Sequence, residues 1–132
     1  MKMLIILLSI VSTLALTAMT AQAADAKASD KGPLRHVVAF KFKDTASQDD
    51  IKKVETAFRD LQKKIKEIVS YEWGMNNSPE NLNKGCTHGF ILTFKNEKDR
   101  DAYLVHPDHK EFGKLVGPLL AEVFVIDFYA QK

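Results

Sequence analysis

The chain has 132 residues, 45% of them hydrophobic and 27% charged, with a formal net charge of +2. That length suits one domain and not two. A charge so close to neutral gives no electrostatic case for nucleic acid or for an anionic membrane surface.

The N-terminus reads as an export signal. Lys2 supplies a positive start, Leu4 to Leu16 is apolar apart from Ser and Thr, and Ala21-Gln22-Ala23 has the small-x-small form of a cleavage site. Leu4 to Met19 is shorter than the roughly 20 residues that span a bilayer, so no membrane anchor is expected once residues 1–23 are removed. The expected product is exported, periplasmic or secreted. Residues 24–32 are small and polar without periodicity and are expected to be a flexible leader. The folded unit is expected over residues 33–132.

Leu34 to Lys43 alternates, with His36, Val38, Phe40 and Phe42 on one face, and predicts a strand. Ser47, followed three residues later by Asp50, resembles a capping box. It opens a helix carrying Ile51, Val54, Phe58, Leu61, Ile65 and Ile68 at 3/4 spacing. Val69 to Asn76 predicts a second strand and Asn77 to Asn81 its turn. Thr87 to Lys95 predicts a third, with His88, Phe90, Leu92 and Phe94 on one face. Asn96 then caps a short helix to about Val105. His106-Pro107 restarts it at a new angle, because proline suits a first helical turn and not an interior. Gly117-Pro118 ends the helical stretch, and Glu122 to Ala130 predicts the last strand.

The order β-α-β-β-α-β predicts an α+β, ferredoxin-like fold with a four-stranded antiparallel sheet. Helices cover one face of such a sheet. The last strand is apolar on both faces, with Val123, Val125 and Tyr129 on one and Phe124, Ile126 and Phe128 on the other. A homodimer packed through its sheets into a barrel is the economical cover for the second face. Cys86 is the only cysteine, so no disulfide is expected within the subunit. Its bland reading is a half-buried thiol.

Several spaced motifs then agree in order. His36 to Lys43, Tyr71-Glu72-Trp73-Gly74, Gly85-Cys86-Thr87-His88, Tyr103 to Gly113 and Val125 to Tyr129 together resemble the stress-responsive dimeric α/β-barrel (Dabb) domain. The resemblance covers about Leu34 to Tyr129. It implies a subunit that dimerises through its sheet. It also extends, distantly, to a plant polyketide cyclase that closes its substrate by an aldol reaction without metal or organic cofactor. By that resemblance His109 is the general base and Tyr103, six residues earlier, helps hold the reacting carbonyl. His36 and His88 match two further pocket histidines, with Phe40 and Phe90 beside them on the same faces.

Each of these residues also has a structural reading. His109 suits a helix turn that hydrogen-bonds backbone, and Tyr103 a half-buried core position. His106 suits a turn before Pro107, and Asp108 a first turn stabilised by the helix dipole. Buried His36 and His88 require partners, either each other or a polar spot in a pocket. No His-x₃-His or His-Glu-x-x-His helix pair occurs, so no metal site is expected, and the resemblance implies no other cofactor. Three functions follow as expectations. The first is a small-molecule binding dimer with an apolar or carbonyl-containing ligand held at His36, His88, Phe40, Phe90, Tyr103 and His109. The second is a cofactor-free cyclase or lyase using His109 as base and Tyr103 as oxyanion donor. The third is a purely structural dimer.

Overall fold

A computed structural model describes residues 31–132. The expected signal peptide, and residues 24–30 of the expected leader, lie outside the described residues. The elements run β1 (Leu34–Phe42), α1 (Gln48–Lys64), β2 (Ser70–Met75), β3 (His88–Phe94), α2 (Glu97–Val105), α3 (Pro107–Val116), a 3₁₀ turn (Gly117–Leu119) and β4 (Leu120–Tyr129). The sheet order is β2-β3-β1-β4, every neighbouring pair antiparallel. This is the ferredoxin-like α+β fold expected from the element order.

The helix boundaries follow from local chemistry. Ser47 caps α1 by accepting from the Asp50 amide at 3.1 Å, with Asp49 and Asp50 at the positive end and Lys63 and Lys64 at the negative end. Asn96 caps α2 through the Asp99 amide at 2.9 Å. His106 closes α2 and opens α3, its Nδ1 accepting from the Asp108 amide at 3.2 Å, with Pro107 in the first turn where its missing N–H costs nothing. The apolar spacing carried α1 too far. Ile65 and Ile68 are buried but lie beyond its end at Lys64, because the Val69 amide donates to the Thr93 carbonyl at 2.8 Å and draws the chain into the sheet. No glycine or proline announces that stop. The last strand starts at Leu120, two residues before the expected Glu122.

Strand alternation sends one set of side chains toward the helices. Val38, Phe40, Phe90, Leu92 and Phe94 meet Val54, Phe58 and Leu61 of α1 and Phe112 and Val116 of α3 in one buried core. Phe58 is its centre, stacked on Phe112 at 4.5 Å and tilted against Phe90 at 4.6 Å. Full burial of each such side chain stabilises by about 1.5–3 kcal/mol. The other face of the sheet has no helix over it. Edge strand β4 is half-exposed along both of its faces, from 47% at Phe128 to 55% at Val123.

Candidate functional site

Rows across the sheet place the polar side chains. Tyr71, Leu92, His36 and Asp127 are register partners on β2, β3, β1 and β4. All four belong to the helix-facing set. The α2–α3 junction lies over this row and brings Tyr103 and His109 to it. The Tyr103 ring is 5.8 Å from that of His36 and 4.3 Å from that of His109. Three of the expected site residues, His36, Tyr103 and His109, thus converge from three different elements.

His36 is oriented from behind. Its Nδ1 lies 2.6 Å from Asp127 Oδ1, and Arg100 Nη1 donates to Asp127 Oδ2 at 2.8 Å. A carboxylate only accepts, so His36 Nδ1 carries the proton and Nε2 is left as the second polar atom. His109 is set in the same way: its Nδ1 donates to the Leu104 carbonyl at 3.2 Å, which leaves Nε2 as an acceptor. Burial pushes the His109 imidazolium below the ordinary histidine range, against the opposing effect of the Leu104 carbonyl, and the neighbouring His36 and His106 imidazoles add to the lowering. The Tyr103 phenol is pushed well above its ordinary range, first by burial and then by Tyr71 and Asp127. A neutral imidazole therefore faces a phenol that keeps its proton.

Tyr71 stands in the same row. Its hydroxyl is buried without a hydrogen-bond partner, and burial raises its pKa well above the ordinary phenol value. An unpaired buried hydroxyl costs about 1–3 kcal/mol. Tyr71 and Asp127 lie inside the spaced family motifs but, like Arg100, carried no site role in the sequence reading. Asp127 had the clearest signal, as the one acid in the apolar run Val123 to Tyr129. Nothing local marks Arg100 or Tyr71 as site residues, because only the fold brings them to this row.

His88 stands apart. Its register partner on β1 is Phe40, four residues from His36, or about 13 Å along the strand. The two histidines therefore do not pair, and each has its own carboxylate. His88 Nε2 lies 3.0 Å from Glu55 Oε1 and Nδ1 lies 2.8 Å from Thr87 Oγ1, while the Trp73 ring stacks parallel to it at 6.0 Å. Phe40 and Phe90 are buried core rings, 4.9 Å apart. Among the described residues no group of three or more His, Cys, Asp or Glu side chains converges as metal ligands would.

A cavity of about 790 Å³ opens on the uncovered side of the sheet. Val37, Ala39, Gly74, Gly89, Ile91 and Phe124 line it, with Leu82, Lys84 and Cys86 from the β2–β3 loop as one wall; His88 and Phe90 also contribute to the lining.

Comparison with known proteins fits this architecture. Residues 34–130 match the family described as the Stress responsive A/B Barrel Domain, Dabb. The chain belongs to the Dabb family. Among curated relatives, a stress-response A/B barrel domain-containing protein, HS1, of Arabidopsis thaliana is 36% identical over 98 residues, covering 74% of this chain and 90% of the relative. Olivetolic acid cyclase of Cannabis sativa is 23% identical over 99 residues, covering 75% and 98%. Two solved structures superpose closely. Hydroxynitrile lyase from Passiflora edulis has a TM-score of 0.73 at 25% identity, covering 77% of this chain and 96% of that one. A protein from Thermobifida fusca, described as a dimeric ferredoxin-like protein of unknown function, has a TM-score of 0.65 at 27% identity, covering 75% and 92%. The resemblance read from the motifs, including its distant cyclase branch, is thus found by direct comparison. This Dabb domain has relatives named for cyclase and lyase chemistry beside others named only for the domain.

Proposed function

We propose that this Dabb domain binds a small, largely apolar molecule bearing a carbonyl or hydroxyl group, with His36, Tyr103 and His109 at the polar end of the site. The observation that carries this reading is the unpaired Tyr71 hydroxyl, buried in the same row as His36. Buried polar groups are almost always paired, and a ligand oxygen arriving between Tyr71 and Tyr103 would complete the set. The subunit works as a homodimer closed over the open face of its sheet, as the dimeric neighbours and the exposed apolar β4 suggest. It is exported after cleavage behind Ala23, which N-terminal sequencing of the mature protein tests: an intact Met1 in the cell-associated protein would overturn export.

Native mass spectrometry of protein purified from its own host tests the binding site. The expected result is a co-purifying small molecule on the wild type that is lost from His109→Ala and from Tyr71→Phe. A wild type that carries no added mass, or one whose added mass both variants keep, would overturn the reading.

The polarised state of the same groups favours a second reading. His109 Nε2 is set to take a proton alpha to a carbonyl, and the Tyr103 hydroxyl to hold the resulting enolate oxygen. Tyr103 is only 1% exposed, so either reading requires the α2–α3 junction to move before a small molecule enters. Binding is placed first because it asks of these groups hydrogen bonds alone. Deuterium exchange at the alpha carbon of simple ketones separates the two, since exchange that depends on His109 supports the enzyme and its absence leaves the binder.

A further inference from the structure

The two helices that meet at the site are held to the rest of the molecule very differently. From α3, Phe112 and Val116 enter the core, and Asp108 reaches Lys64 of α1 at 4.0 Å. Of α2 only Tyr103 is buried. Its first five residues, Glu97 to Asp101, are all charged, and its last two, Leu104 and Val105, are apolar yet 41% and 64% exposed. Such a helix has no apolar stripe to hold it on the sheet. Beside Tyr103, Arg100 ties it down, donating to the same Asp127 carboxylate that orients His36. Both ends of α2 are jointed. Lys95 and the extended Asn96 join it to β3, and His106 is a single extended residue between it and α3. Rotation at such residues moves α2 without unwinding either neighbour.

We propose that α2 is the moving lid of the site, latched by Arg100 on Asp127, while α3 stays with the core. This rests on the binding reading above and adds how the site is reached. His36 and Asp127 belong to the sheet and His109 to α3, so an open lid takes only Tyr103 away from the group. A ligand meets a half-built site, and closure brings the phenol back and re-forms the latch. Because one carboxylate serves both Arg100 and His36, lid closure and the orientation of His36 are linked. The latch is built to release. Both of its side chains are about one-fifth exposed, so water reaches the pair. Asp101, the next residue, already shares the guanidinium at 2.9 Å, so Arg100 leaves Asp127 without losing its counter-charge. Asp127 in turn keeps His36.

Amide hydrogen exchange of the ligand-free protein, read by mass spectrometry, tests the lid. A nine-residue helix is unstable alone in water, so α2 amides exchange whenever the helix leaves the sheet. In the wild type, the amides of Asp101 to Val105 should exchange about 100-fold faster than the hydrogen-bonded amides of α3 and β1. Arg100→Gln should speed α2 about 10-fold further and leave α3 and the sheet unchanged. Arg100→Lys keeps the charge and should give most of that protection back. Wild-type protection of α2 equal to that of α3 would overturn the lid. Acceleration by Arg100→Gln spread evenly over α2, α3 and the sheet would make Arg100 a general stabiliser and overturn the latch. Neither outcome involves a ligand, so each is distinct from failure of the binding reading, which the co-purifying mass decides.

Discussion

His36 and His88 are the same residue on the same face of one sheet, and both are buried. Each lies beside a carboxylate, His36 beside Asp127 and His88 beside Glu55. They differ in the second nitrogen. His88 spends both, on Glu55 and Thr87, inside a box of Trp73, Phe42 and Phe90 rings. His36 spends Nδ1 on Asp127 and turns toward Tyr103 and the His109 beyond it. A buried histidine with both nitrogens engaged is a packing element, and one with a nitrogen to spare beside a tyrosine and a second imidazole is a candidate site.

The sharpest way to break this contrast is His88→Ala. It leaves Glu55 and Thr87 unpaired and opens a void under Trp73, so unfolding in urea should show a loss of about 3 kcal/mol, while any co-purified ligand stays bound. Loss of the ligand with unchanged stability would reverse the assignment of the two histidines. Asp127→Ala comes next. It unties both His36 and Arg100 and should cost about 2 kcal/mol in the same measurement, with the ligand lost as well, since His36 is no longer oriented.

Tyr71→Phe has a smaller effect and the opposite sign. Deleting an unpaired buried hydroxyl should stabilise the ligand-free protein by about 1 kcal/mol. A destabilisation of that size would show that the hydroxyl has a partner. The smallest effect is that of pH. The His109 pKa is lowered on folding, so above its ordinary value of 6.5 both states are neutral and the group contributes nothing. As pH falls below 6.5 the unfolded chain takes up the proton first, and stability declines until the folded pKa is reached. His109→Gln should therefore show a shallower fall in urea midpoint between pH 7 and 5 than the wild type. Parallel curves would place His109 in a solvated environment.

The strands were legible because period-two alternation in Leu34 to Lys43 and Thr87 to Lys95 has no helical reading, and the caps Ser47, Asn96 and His106-Pro107 because they are local chemistry. The end of α1 was not, since a backbone bond to Thr93, distant in sequence, sets it. Tyr103 and His109 were visible as a spaced pair on one stretch. Their joining with His36, and the separation of His88 from all three, were not.

The sequence by itself determined the element order, the ferredoxin-like class and the family, because periodicity, capping and spaced motifs are properties of neighbouring residues. Only the tertiary structure decided which polar groups meet. Register places Tyr71, His36 and Asp127 in one row, and puts Gly74 and Gly89 at the same level as Phe124. These residues are brought together by strand pairing across the sheet, which no local pattern specifies.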